Sequence, residues 1–151
     1  MIGLGQNPEF GRICVVKELD PELRAGVINL FTDAPFVADM GIVPIRVEAG
    51  ICHAELQVGP RHLQHLGRAH GGVVTTLAGH AALGAATTTA GLGGLVAPAF
   101  SMQLMRAAGP GELIARAQVI KSGKKLIFVE VEISASDALV ATASYTLMPV
   151  S

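Results

Sequence analysis

At 151 residues, half of them hydrophobic and with a formal net charge of −1, the chain is long enough to bury a core of its own. The balanced charge, the absence of tryptophan and the single tyrosine, Tyr145, argue against nucleic acid, which asks for a basic face and stacking aromatics. Two cysteines, Cys14 and Cys52, make no disulfide framework and fit a reduced compartment.

The opening MIGLGQNPEFGR has neither the basic flank nor the apolar run of a secretory signal. The expectation is a cytoplasmic protein of one domain over 1–151, with 1–19 as an N-terminal extension. A leading helix is expected over 20–38. Asp20 can cap it, Pro21 suits its first turn and Glu22 its positive end. Leu23, Val27, Leu30 and Phe31 recur at helical spacing until Pro35 breaks or kinks the run. From Ile42 the period changes to two. IVPIRVEAGICHAELQV reads as two strands about a turn at Ala49-Gly50, with Cys52, Ala54, Leu56 and Val58 on one face and His53, Glu55 and Gln57 on the other. Pro44 marks an edge or a strand beginning there.

Residues 59–70 read as a loop. A helix follows over about 71–90, carrying no Asp, Glu, Lys or Arg, and GLGG at 91–94 ends it. Its length would cross a bilayer. However, it is mostly Ala, Gly and Thr and lies between alternating segments, which predicts a helix covered on nearly all sides within a globule. Four alternating segments close the chain, at about 95–106, 112–121, 125–135 and 139–148, with turns at GPGE, KSGK and SASDA. Consecutive strands on short turns form an antiparallel sheet. The expected fold is therefore α+β, with that sheet wrapped around one small-residue helix.

HLQHLGRAHGG with the helix after it, LMRAAGPGELIARAQVIKSGKKLIFVEVEI and the closing LVATASYTLM, taken in this order and spacing, resemble the hotdog-fold acyl-CoA thioesterases of the phenylacetate-degradation type. The resemblance runs from about Asp20 to Met148. It implies hydrolysis of an acyl- or aroyl-CoA thioester, and a homodimer with sites at the subunit interface, commonly paired into tetramers. No metal or redox cofactor is implied, only coenzyme A as part of the substrate. Exposed-face residues such as Ile114 and Ile120 fit such pairing.

The first N–H groups of a helix lack internal partners and sit at its positive end, and glycine lets a ligand approach the backbone closely. The resemblance makes Gly71 the donor that stabilises the developing oxyanion and lets Gly72 shape the turn. His70 corresponds to the family's loop histidine, and Gln64 to a loop Asn or Gln that places water or the thioester. Tight packing of a helix start against the sheet would also account for Gly71-Gly72.

The family's Asp or Glu stands nine residues after the loop histidine, as nucleophile or general base. Here that position is Gly79. The positions where some relatives add Ser or Thr correspond to Leu83 and Ala97. His80, next along, is turned about 100° around the helix. Its imidazole has the chemistry of a general base, and it could equally be packed and hydrogen-bonded to Thr76 or Thr87. Asp39 and Glu55 are carboxylates that a partner subunit could supply.

Lys121, Lys124 and Lys125 in KSGKK form either a solvated turn or contacts to coenzyme A phosphates, with Arg106 next in line. His53, His62, His65, His70 and Cys52 show no zinc-like spacing, HExxH is missing, and neither GxSxG nor GxxxxGK[ST] occurs. No metal is expected. A catalytically silent hotdog protein that binds acyl-CoA or a related ligand is the alternative function, since it would keep the glycine junction and lack the carboxylate.

Overall fold

The computed structural model describes residues 18–150. The expected extension, including Cys14, lies almost wholly outside them. Helix α1 spans Pro21–Thr32, with Asp20 Oδ1 accepting from the N–H groups of Glu22 and Leu23 at 3.0 Å each. The leading helix is two helices. The chain breaks after Thr32 and restarts as α2, Pro35–Met40, with Pro35 in its first turn, where its missing N–H costs no hydrogen bond. Gly41, at φ +79°, ends α2.

Strands β1 (Val43–Glu48) and β2 (Ile51–Val58) follow, then a 3-10 turn at Pro60–His62 and the long helix α3, Gly71–Ala90. Strands β3 (Leu95–Leu104), β4 (Gly111–Ser122), β5 (Ile127–Ala135) and β6 (Ala138–Pro149) complete a six-stranded sheet in the order β1-β2-β4-β5-β6-β3. Every pairing is antiparallel. The β5–β6 hairpin turns on Ser136 and Asp137, both at positive φ, which matches the right-handed strand twist. This is the hotdog architecture expected from the sequence.

The sheet's inner face lies on α3 and holds the core. Cys52, Ala54, Leu56, Leu113, Ala115, Ile127, Val131 and Ile133 are buried against Leu77, Ala78, Ala81, Ala82 and Ala85. Small helix residues let the sheet come close. A Cβ at Gly84 would stand 2.6 Å from Cys52 Sγ. Coverage of α3 stops short of the near-complete burial its composition suggested. Gly71, Gly72, Thr75, Thr76, Gly79, His80 and Leu83 keep partial or full exposure, because within one chain the sheet and α1 cover the other sides of the helix. The open side looks onto β3, an edge strand with Phe100 and Leu104 about half exposed. No helix among the described residues is long and apolar enough to cross a membrane.

Candidate active site

The loop before α3 is built by backbone hydrogen bonds and two histidines. His62, buried, accepts the Gly59 N–H on Nδ1 and faces the Met40 carbonyl with Nε2, both at 2.9 Å. Those contacts define the Nε2–H tautomer and tie the loop to α2. The Gln64 N–H donates to the Arg68 carbonyl at 2.7 Å, and Gly67 takes the left-handed conformation, φ +73°, at the tip between them. Gln64 Oε1 accepts from the Leu66 N–H, which leaves the side-chain amide's NH₂ as a donor. The Ala69 N–H bonds to the Ala108 carbonyl at 2.8 Å, joining the loop to the segment after β3.

His70 is the N-cap of α3. Its Nδ1 accepts the Gly72 N–H at 2.9 Å, and its carbonyl accepts from Val73 and Val74. The second to fourth N–H groups of the helix are thereby satisfied. The first, on Gly71, meets no acceptor among the described residues, and it stands at the positive end of a 20-residue helix. A depression of about 290 Å³ opens beside it, lined by Gln64, Gly71, Val74, Leu104, Met105 and Arg106 among others. Its lining holds a backbone donor, an amide and a guanidinium, and no carboxylate. Such a surface suits a polarised carbonyl and an anion.

Gln64, His70, Gly71, Gly72 and Arg106 are therefore brought to one end of α3. The lysine turn is not. The Val119 N–H bonds to the Gly50 carbonyl, and the Gly50 N–H to Thr88 Oγ1 in the last turn of α3. Lys121, Lys124 and Lys125 thus lie toward the far end of the helix, whose Thr88 is about 25 Å from its start by the rise of ~1.5 Å per residue. None of the three lines the depression beside Gly71. Arg68 is a cation that sequence reasoning passed over. Its guanidinium lies against Gly109, and the signal was its place inside HLGRAHGG.

His80 faces away from this depression. Its Nε2 contacts the Leu30 carbonyl at 2.9 Å, and its ring meets Phe31 edge-on at 4.8 Å. Neither Thr76 nor Thr87 is its partner. Their hydroxyls donate to the carbonyls of Gly72 and Leu83, one turn back. Burial holds the His80 pKa below the usual histidine value, partly offset by the Leu30 carbonyl, so the ring packs α3 against α1 as a neutral donor. The step of about 100° per residue turns it out of the Gly71–Gly79 stripe, which removes it as a general base for a carbonyl bound there.

Gly79 itself faces Tyr145 on β6. Asp39 is exposed on α2, and Glu55 lies on the outer side of the sheet opposite Ile114. Neither reaches the depression within this chain. Cys52 is interior, its thiol pushed up to about 12 by burial, and so is inert. Among the described residues no three His, Cys, Asp or Glu side chains gather as metal ligands would.

The sequence profile of the thioesterase superfamily matches residues 66–142, half of the chain. A stretch of 57 residues is 39% identical to the proofreading thioesterase EntH of Klebsiella pneumoniae, covering 38% of this chain and 42% of that protein, so the match spans less than half of the relative's length. The PaaI protein of the E. coli phenylacetic acid degradation operon superposes with a TM-score of 0.81 at 23% identity, over 88% of this chain and 96% of its own. A variant of the phenylacetic acid degradation protein PaaI of Thermus thermophilus gives a TM-score of 0.72 at 28% identity, over 77% and 99%.

Proposed function

This chain belongs to the thioesterase superfamily, and we propose that it hydrolyses an acyl- or aroyl-CoA thioester to the free acid and coenzyme A at the start of α3. The observation that carries this reading is the unmet Gly71 N–H at the mouth of the depression. A thioester carbonyl seated there places its oxygen on a helix-end donor, which strengthens as negative charge develops. The Gln64 NH₂ is a second donor in the same lining, and His70 holds the turn by capping Gly72. Arg106 is the cation in reach of an anionic group on the ligand. The three lysines, outside that lining, would join the same ligand from another copy of the chain.

That copy has a place to bind. The free edge of β3 carries exposed Phe100 and Leu104, with exposed Met105 next after it, and an exposed apolar edge is a template for pairing. A homodimer through β3 would cover the open side of α3 and close the depression, and dimers could pair further into tetramers. The reaction consumes only water.

A silent or very slow acyl-CoA binder is the second reading, favoured by the lack of a carboxylate in the lining and the glycine at 79. The deciding experiment follows thiol release from a panel of acyl- and aroyl-CoA thioesters, comparing the native protein with Gly71→Ala and Gly71→Pro. Turnover that survives Ala and is lost with Pro supports hydrolysis on the Gly71 donor. Binding of the same thioesters without thiol release supports the binder.

A further inference from the structure

Along α3 the residues spaced four apart from Gly71 are Thr75 and Gly79, and the β3 and β6 side chains meet this stripe in order. A Cβ at Gly71 would lie 3.2 Å from Leu104 Cδ1. Thr75 Oγ1, bonded to the Gly71 carbonyl at 2.8 Å, sits 3.6 Å from Met102 Sδ. At the third position, a Cβ on residue 79 would stand 3.3 Å from the Tyr145 hydroxyl oxygen and 3.4 Å from its Cε1, tighter than ordinary van der Waals contact.

The tyrosine has little room to yield. It is 4% exposed, it donates its hydroxyl to the Thr75 carbonyl at 3.1 Å, and its ring stacks on Phe100 with centroids 5.0 Å apart and planes 11° from parallel. The hydrogen bond fixes one end of the ring and the stack fixes its face. Thr75 and Gly79 are one helical turn apart, so a phenol that reaches the Thr75 carbonyl necessarily lies over the Cα of residue 79.

We infer that Tyr145 occupies the space of a side chain at position 79, so that the face of α3 toward β3 carries a neutral phenol there instead of a proton acceptor. Glycine at 79 is then the condition for this tyrosine. Among the described residues, the phenol oxygen donates to the Thr75 carbonyl and is met by no hydrogen-bond donor. Burial pushes its pKa up to about 12, so it stays protonated and takes no proton at neutral pH.

The second half of the inference rests on the thioesterase reading. With a phenol at position 79 and no carboxylate among the described residues lining the depression, the nucleophile is hydroxide. It adds to the thioester carbon, the C–S bond breaks, and the thiolate takes up the proton of the acid formed, giving a carboxylate and a thiol.

Two experiments separate the halves. In the first, melting temperatures are measured for the native protein, Gly79→Ala, Tyr145→Phe and the double variant. Alanine for glycine inside a helix ordinarily stabilises. It should give no gain, or a loss, beside Tyr145 and raise the melting temperature by about 4 °C in the Tyr145→Phe background. Equal effects in both backgrounds overturn the matched pair.

In the second, thiol release is followed from about pH 7 to pH 9 for the native protein, Gly79→Asp and Gly79→Asp/Tyr145→Phe. The native rate should climb about tenfold per pH unit, with a plateau only in the double variant, where a carboxylate serves as base. A native plateau near neutrality overturns the phenol's assignment. Coupled melting temperatures with no thiol release from any protein uphold the pair and overturn the hydrolytic reading.

Discussion

His70 and Gly71 divide one task between side chain and backbone. The imidazole consumes the Gly72 N–H, leaving Gly71 as the donor without a partner among the described residues. Proline is tolerated in the first turn of a helix, and His70 already has the extended backbone, φ −62° and ψ 137°, that a following proline demands. Gly71→Pro should therefore fold while deleting the donor, lowering kcat about a hundredfold or more. Gly71→Ala keeps the N–H and asks only a shift of the Leu104 side chain; a steady-state comparison of the two tests the role directly. Replacing the cap, His70→Ala, should cost about 1 kcal/mol of stability in denaturant unfolding.

His80 makes a prediction of another kind. Its folded pKa is lowered by burial, so below about pH 6.5 the unfolded chain binds the proton more readily than the folded one. The stability it contributes is full above that value and is lost as pH falls through the depressed folded pKa. Melting temperature should thus drop between about pH 7 and pH 5. His80→Gln, which keeps a donor for the Leu30 carbonyl without a titrating ring, should flatten the curve.

At the scale of elements, the contact between α3 and β2 is set by how little volume the helix presents. Gly84 faces Cys52 with no space for a methyl group, and both ends of that contact are buried. Gly84→Ala should destabilise by about 1–3 kcal/mol, the cost of overpacking a filled core, in chemical denaturation. Most elements were legible beforehand because period and punctuation agree within each. The alternation Cys52, Ala54, Leu56, Val58 is the buried face of β2, and Gly50 sits at φ +75° in the turn expected there. The broken leading helix was legible only as a proline, since where it restarts depends on which turn can do without an N–H.

For the whole molecule, β3 is the free edge strand on which the proposed homodimer rests. Pro98 and the irregular register between Val96 and Ala99 blunt the first part of its edge, while residues 99–104 continue beyond it with Phe100 and Leu104 exposed. Ser101 lies near the middle of that stretch. In a two-fold antiparallel pairing, a charge there would face its own copy. Ser101→Glu should shift the mass measured by light scattering from dimer toward monomer with the melting profile of the chain retained. An unchanged mass would take β3 out of the interface.

The sequence by itself determined the order of the elements, the face each buries and the glycine junction that opens α3, because hydrophobic period, capping residues and turn residues act over a few neighbours along the chain. The grouping of Gln64, His70 and Gly71 at the start of α3, on which the proposed site rests, was legible for the same reason, since they lie within eight positions of one another. Only the tertiary structure decided that His80 serves α1, that Arg106 joins Gly71 while the lysine turn lies toward the other end of the helix, and that Tyr145 fills the space at Gly79. Each of those contacts joins residues tens of positions apart, at a distance set by how closely the sheet packs on α3, and no local pattern in the chain encodes that distance.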